Sequence, residues 1–323
     1  MSASLLPFFR SVAFMASLPI ICLGQTCSPP SHYPKYANLD LLSRAQGSDA
    51  TAQYLVAAKI LAHDPSPGEI ESGIKWLRAS AAQNEPEAQF YLGYLYEKGK
   101  FLPQDYALAF QNYRAAALMH YALAENNLAS LYQHGQGVPR DPTQAFQWYL
   151  ASAQDGDPTG QLNLATLYYR GEGISQDSEK TVRWLRASAD AGCSHAQNNL
   201  AYFYFYGIVV QRDYVAAARL VQLAAQQNLV RAQTNLANLY SHGQGVSLDY
   251  VAAFVWYSRA AAGGDKSAAR SRENLVRVMT KKQLDQAREY LISSPPGMII
   301  EAAKPSIPDA SLLGESIWQM SPD

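Results

Sequence analysis

Cysteine is scarce in this chain, with three among 323 residues, at Cys22, Cys27 and Cys193. Cys27 and Cys193, the two that remain after loss of a signal peptide containing Cys22, lie far apart and form no spaced framework, so we expect no disulfide scaffold. Charge of one sign is also lacking, because 26 basic and 27 acidic residues give a net charge of −1 at pH 7. That balance argues against nucleic acid as a partner and against an ion-buffering role. Any partner must therefore be recognised by a local surface.

Long apolar runs are equally rare. One run, at residues 12–23, follows Arg10 and precedes small and polar residues, which is typical of a secretory signal peptide. Gly24 is small and predicts cleavage directly after it. The alternative is an uncleaved N-terminal anchor, although the run is shorter than the ~20 residues that a membrane span needs. We expect an exported protein, periplasmic or secreted, with no transmembrane span after removal of the signal.

What the chain does contain is an internal repeat with a period of 36 residues. Tyrosine marks five of the six units, at Tyr96, Tyr132, Tyr168, Tyr204 and Tyr240. Glycine follows three residues later, at Gly99, Gly135, Gly171, Gly207 and Gly243. Every unit then has an acid, at Glu69, Asp105, Asp141, Asp177, Asp213 and Asp249. No insertion breaks this register.

These spacings predict two helices in each unit. In the first helix Ala88, Leu92 and Leu95 fall at helical intervals and form one buried stripe. The acid is the predicted N-cap of the second helix, and Pro142 directly after Asp141 suits the first helical position. Left-handed C-caps are predicted where each unit ends, at Asn84, His120, Gly156, Gly192, Asn228 and Gly264. Because one helix pair cannot bury its own stripe, the units must stack.

The units "AENNLASLYQHGQGVPRDPTQAFQWYLASAQDGD" and "AQTNLANLYSHGQGVSLDYVAAFVWYSRAAAGGD" resemble Sel-1-like repeats, relatives of the tetratricopeptide repeat. The predicted fold is an all-α, right-handed α-solenoid of stacked helix-turn-helix repeats. The resemblance implies a scaffold that binds a protein or peptide partner, with no cofactor and no catalysis. Secreted bacterial members of the family act as adaptors, which favours a role in the cell envelope.

The repeats also set the expected domain organisation. The C-terminal helices begin near a capping box formed by Thr280 and Gln283. A tail rich in proline and serine follows, and it could fold into the groove of its own chain or of another copy. The expected segments are a signal peptide (1–24), an extended lead-in (25–48), six repeats (49–267), C-terminal capping helices (268–291) and a mostly disordered tail (292–323).

Candidate partner-binding residues lie on the first helices, which line the concave face in tetratricopeptide solenoids. One set is an asparagine ladder that could grip a peptide backbone or instead bond neighbouring backbone: Asn127, Asn163, Asn199 and Asn235. The other set is predicted to point outward, at Tyr94, Tyr169, Tyr202, Phe205 and Tyr206, with Arg170 near an inter-helix turn; tyrosine and arginine are common binding anchors. Three of these come from "AYFYFYG", where Ala201, Phe203 and Tyr204 fill the packing positions.

Other functions find less support in the sequence. Capping explains Glu69 and the repeated aspartates without acid–base chemistry, and no spacing predicts a metal site. A glycan-binding module is the alternative function, because aromatic rings can stack on sugars. A hydrolase is disfavoured, because no two carboxylates within one unit are placed to flank a glycosidic bond. One turn departs from the pattern: Val209 occupies a glycine position, so we expect that turn to differ in shape.

Overall fold

A computed structural model describes residues 38–62 and 64–293 of the chain. The predicted signal peptide, most of the predicted lead-in and nearly all of the predicted tail lie outside these residues. Every regular element within them is an α-helix. The helices are α1 (Asn38–Gln46), α2 (Ala50–Leu61), α3 (Pro67–Ala81), α4 (Pro86–Lys98), α5 (Tyr106–Ala117), α6 (Ala122–His134), α7 (Pro142–Gln154), α8 (Pro158–Arg170), α9 (Ser178–Asp190), α10 (Ser194–Tyr206), α11 (Tyr214–Gln226), α12 (Val230–His242), α13 (Tyr250–Ala262), α14 (Lys266–Val276) and α15 (Lys281–Ser293).

Consecutive helices pack against each other from α1 to α14. The first helices of units one to six are α2, α4, α6, α8, α10 and α12, and each packs on the helix that follows it. The second helix then contacts the first helix of the next unit, so one continuous stack results. The predicted all-α solenoid is confirmed. Among the described helices, none combines the length and apolarity that crossing a bilayer requires.

Side-chain caps begin the second helices. The five repeated aspartates are N-caps as predicted, each accepting hydrogen bonds from backbone N–H groups two or three residues later. Glu69 differs, because α3 begins one turn earlier and its N-cap is Ser66. The backbone N–H of Ser66 donates to Glu69 Oε2 at 2.8 Å, so Glu69 is the N3 residue of a capping box whose N-cap is Ser66. The N-cap predicted at Glu69 is therefore wrong by one helical turn.

A left-handed residue ends every unit. All six predicted positions have positive φ, from 58° at His120 to 95° at Gly264. Ser48, one period before Asn84, has φ 67° and continues the series. The helix before it, α1, thus stands where the second helix of an earlier unit would stand. Residues 38–46 were predicted to be extended, and that prediction is wrong.

Helices outside the six units cover both ends of the stack. At the N-terminal end Ala45 of α1 packs on Ala52 and Val56, an apolar face that no earlier unit covers. At the C-terminal end α15 contacts α13, and Ala287 is fully buried there. The α15 capping box forms: the backbone N–H of Thr280 donates to Gln283 Oε1, and that of Gln283 to Thr280 Oγ1.

The turn that contains Val209 does not differ in shape. Val209 has φ 66°, against 69° to 72° for Gly137, Gly173 and Gly245 at the same position. The loop is closed by a hydrogen bond from the Asp213 N–H to the carbonyl of Tyr204, as in the other units. The prediction of a different turn is wrong, because this shared framework imposes the left-handed conformation on a β-branched residue.

Replacing Val209 by glycine should therefore stabilise the protein. We expect Val209→Gly to raise the free energy of unfolding by about 1 kcal/mol, since glycine adopts positive φ without steric strain. Gly245→Val is the matched control and should destabilise, because a Cβ there would overlap the carbonyl oxygen of Tyr214. Urea denaturation followed by circular dichroism measures both. If Val209→Gly left the free energy of unfolding unchanged or lowered it, the backbone at Val209 would not be strained.

Candidate functional site

Three tyrosines from two adjacent units meet on the surface, and we call them the tyrosine patch. Tyr169 ends α8, and Tyr202 and Tyr206 lie one turn apart on α10. The rings of Tyr202 and Tyr206 are 4.8 Å apart between centroids. The side chain of Phe203 is fully buried below them, with the rings of Tyr169 and Tyr202 edge-on to it at 6.1 and 5.7 Å. The patch therefore has a packed aromatic base.

The patch tyrosines are accessible hydrogen-bond donors. Tyr169 and Tyr206 are 36% and 41% exposed, and Tyr202 is partly buried between them. Burial, with the neighbouring Tyr169, raises the pKa of Tyr202 above its usual value. Burial also raises the pKa of Tyr206, with Tyr202 and Tyr214 adding to the effect. Both phenols are therefore neutral at physiological pH and can donate their O–H groups.

Phe205 does not belong to the patch. It is 4% exposed, and its ring packs against Tyr214 of α11 at 5.0 Å. The prediction that Phe205 points outward is wrong. The sequence held the signal, because Phe205 lies four residues after the buried Ala201 and so shares its helix face.

The other predicted contact residues are placed differently. Tyr94 lies on α4, two units before α8, where it is half-buried and stacks on Tyr91 at 6.3 Å. It is therefore separate from the patch. Arg170 follows Tyr169 at the exposed end of α8.

The asparagine ladder mainly joins neighbouring first helices. Asn163 Nδ2 donates to Asn126 Oδ1 at 2.8 Å, and Asn235 Nδ2 donates to Asn198 Oδ1 at 2.8 Å. Asn235 is fully buried and Asn199 nearly so. An exposed ladder is thus wrong for these two positions, whereas Asn127 and Asn163 are partly exposed. The alternative prediction was that the ladder asparagines bond neighbouring backbone. They do bond neighbouring helices, but the acceptors are asparagine side chains and not backbone carbonyls.

The fourth residue of each first helix forms another arrangement, which we did not predict. It is glutamine in five units, and its side-chain N–H donates to a carbonyl of the preceding helix. The pairs are Gln53 with Ala45, Gln89 with Ala81, Gln161 with Ala153, Gln197 with Ala189 and Gln233 with Ala225. In unit three this residue is Glu125, whose carboxylate has no N–H to donate.

A second glutamine extends this contact in two units. Gln83 Nε2 donates to Gln53 Oε1 at 2.8 Å, and Gln227 Nε2 donates to Gln197 Oε1 at 3.0 Å. In unit three the same two positions hold carboxylates, Glu125 and Asp155. An amide–amide hydrogen bond is thus replaced by two acidic groups.

The expectation that no two carboxylates of one unit lie close together is wrong for Glu125 and Asp155, which packing of α6 on α7 brings together. A histidine lies beside these two carboxylates. His120 Nδ1 is 3.8 Å from Glu125 Oε1 and 3.6 Å from Asp155 Oδ2. We call His120, Glu125 and Asp155 the unit-three cluster. Glu125 is 1% exposed, and its Oε2 has no hydrogen-bond partner. Burial, followed by the charge of Asp155, raises the pKa of Glu125 to about 7.

Comparison with known proteins accounts for the units. The Sel1 repeat model matches six consecutive segments: 50–85, 86–121, 122–157, 158–193, 194–229 and 230–265. The chain belongs to the Sel1 repeat family. Each Sel1 repeat begins at the first residue of a first helix, so the repeats coincide with the structural units. A search of curated proteins found no significant match.

Solved Sel1 repeat structures resemble the chain. One is c5321, a protective antigen present in uropathogenic Escherichia coli strains, with 28% identity and a TM-score of 0.69. The match covers 79% of this chain and 55% of c5321, so this chain spans about half of that protein. Another is a Sel1 repeat protein from Oxalobacter formigenes, with 26% identity and a TM-score of 0.61, covering 71% and 96% of the two chains.

Alanine substitution at two neighbouring residues distinguishes a side chain that packs in the core from one that is exposed in the patch. We expect Phe205→Ala to lower the free energy of unfolding by about 3 to 5 kcal/mol, because it leaves a cavity between α10 and α11. Tyr206→Ala, one residue further on, should change it by less than about 1 kcal/mol. Chemical denaturation measures both variants. A large loss of stability in Tyr206→Ala would show that its ring serves packing instead.

Proposed function

We propose that this Sel1 repeat protein is a non-catalytic interaction scaffold that binds a protein or peptide partner through the tyrosine patch. The observation that carries the proposal is the meeting of Tyr169, Tyr202 and Tyr206 above the buried Phe203. Exposed tyrosines on a rigid base lose little side-chain freedom on binding, and tyrosine often supplies much of the binding energy at interfaces.

Comparison among the units supports this assignment, because packing does not require aromatic residues there. The position of Tyr202 holds Ser130, Thr166 and Asn238 in units three, four and six, and Ala58 and Tyr94 in units one and two. The position of Tyr206 holds Lys98, His134, Arg170 and His242 in units two, three, four and six, and Ala62 in unit one. Two aromatic side chains at positions that are otherwise mostly polar suit a binding surface.

Affinity capture with crosslinking from the cell-envelope fraction tests the proposal. We expect wild type to capture a protein that Tyr202→Ala/Tyr206→Ala loses while circular dichroism stays helical. Tyr290→Ala is the matched control, because Tyr290 is an exposed tyrosine on α15. Retention of every captured protein by the double variant would refute the patch. Binding to purified cell-wall glycan that only the double variant loses would favour the glycan-binding alternative.

Export to the cell envelope is the second part of the proposal, with the periplasm as the expected compartment and secretion as the alternative. The signal-peptide pattern of residues 1–24 supports it. So does Cys193, which is fully buried at the N-cap of α10 and disulfide-bonded, since disulfides persist in oxidising compartments. Cleavage after Gly24 leaves Cys27 as the other cysteine of the mature chain.

Intact mass measurement of the protein from the periplasmic fraction tests export. We expect a chain that begins at Gln25 and takes up alkylating reagent at cysteine only after reduction. The same protein expressed without residues 1–24 in the cytoplasm is the control and should be alkylated directly. A periplasmic chain that retains residue 1 would contradict cleavage. The idea that the tail at residues 292–323 binds the groove stays a prediction.

A further inference from the structure

The unit-three cluster lacks the hydrogen bond that the chain makes at the equivalent place in other units. In units one and five an amide N–H lies between the two side chains, at 2.8 and 3.0 Å. In unit three neither Glu125 nor Asp155 has a proton donor when ionised, so the two carboxylates repel each other. A positive group between them would stabilise the form in which both are ionised.

Glu125 places a buried carboxylate beside His120 and Asp155, with its Oε1 3.8 Å from His120 Nδ1. Its side chain is 1% exposed, and Oε2 accepts no hydrogen bond from any described residue. A buried carboxylate oxygen without a partner is rare in folded proteins. The nearby Asp157 is different, because its carboxylate accepts from the Gly160 N–H at 2.8 Å and from Ser152 Oγ at 3.1 Å. Asp157 therefore adds negative potential while its own oxygens are satisfied.

His120 supplies a nitrogen at the open side of the cluster. It ends unit two, where units one and five have Asn84 and Asn228, and its side chain is 83% exposed. Its Nδ1 and one oxygen from each carboxylate all lie within 4.8 Å of one another. Ligands held about 2.1 Å from a tetrahedral Zn²⁺ are about 3.4 Å apart, close to the 3.6 and 3.8 Å measured from Nδ1. Small rotations of the two more exposed side chains close the difference.

We propose that His120, Glu125 and Asp155 bind a zinc ion. The imidazole nitrogen favours Zn²⁺ over Ca²⁺ or Mg²⁺, which prefer all-oxygen ligands. Three protein ligands leave one position for water. The ion replaces the amide proton that joins Gln83 to Gln53 in unit one. The ion also links His120, at the end of unit two, to Glu125 at the start of α6 and to Asp155 at the end of α7.

Calorimetric titration of the full chain with ZnCl₂ at pH 7.5 tests the site. We expect one Zn²⁺ to bind at the cluster and Ca²⁺ to bind much more weakly. Glu125→Gln should weaken this event at least about tenfold. The variant restores the residue that five other units carry, so it should fold normally. His120→Asn, which restores the residue of units one and five, removes the nitrogen ligand on an exposed side chain and should also weaken zinc binding.

His242→Asn is the control, because His242 is an exposed histidine whose Nδ1 lies 2.9 Å from the carbonyl oxygen of Asn238 on its own helix. It should leave zinc affinity unchanged. Thermal unfolding with Zn²⁺ and with EDTA gives an independent measurement, and zinc should raise Tm in wild type and not in Glu125→Gln. The proposal is overturned if wild type binds no zinc, if both cluster variants bind it as tightly as wild type, or if Ca²⁺ binds equally well.

Discussion

Stacking depends on reversing the chain twice in every 36 residues, and a residue with positive φ makes each reversal. One reversal follows the first helix, at glycines such as Gly135, and the other follows the second helix, at residues such as His120. Units two to six repeat both angles, so each of their helices meets its neighbour at the same place. The constancy of these turns matters more than the residue type, since Phe101 and Val209 adopt the same angles despite their side chains.

A constant register makes equivalent positions directly comparable within one chain. Positions that pack stay similar, as the glutamine at the fourth residue of the first helix does in five units. Positions that do not pack are free to vary, and they then report on something other than the fold. Tyr202 and Tyr206 of the tyrosine patch lie at such positions. The unit-three cluster is the opposite case, because Glu125 changes a position that packs and lacks the side-chain N–H that glutamine donates there in the other units.

Much of the fold followed from sequence, because caps and helical stripes are local. The five aspartate N-caps and all six left-handed C-caps depend on residues within a few positions of each other. The errors lie where the pattern is incomplete or the contact is distant. Within the described part of the chain, no first helix precedes α1 to form a recognisable unit with it. Phe205 was assigned by repeat position, although its i,i+4 relation to Ala201 already placed it inside.

The site was harder to predict than the fold, because it depends on contacts between units. Glu125 and Asp155 are 30 residues apart, and nothing local indicates that the side chains of the same two positions bond in units one and five. The one indication in the sequence is that the fourth residue of the first helix is glutamine in five units and glutamate in unit three. The tyrosine patch was partly predictable, since Tyr169 and Tyr202 lie close to one period apart.

The two departures from the repeat pattern lie at opposite ends of one helix. α8 begins next to Asp155 and Asp157 and ends at Tyr169 and Arg170, and it contacts both α6 and α10 through the stack. A 13-residue helix is about 20 Å long, so the two places are separated by about that distance. The proposed zinc ligands lie before and on α6 and at the end of α7, one short loop before α8, so the ion acts on the segment that leads into the helix from which Tyr169 projects.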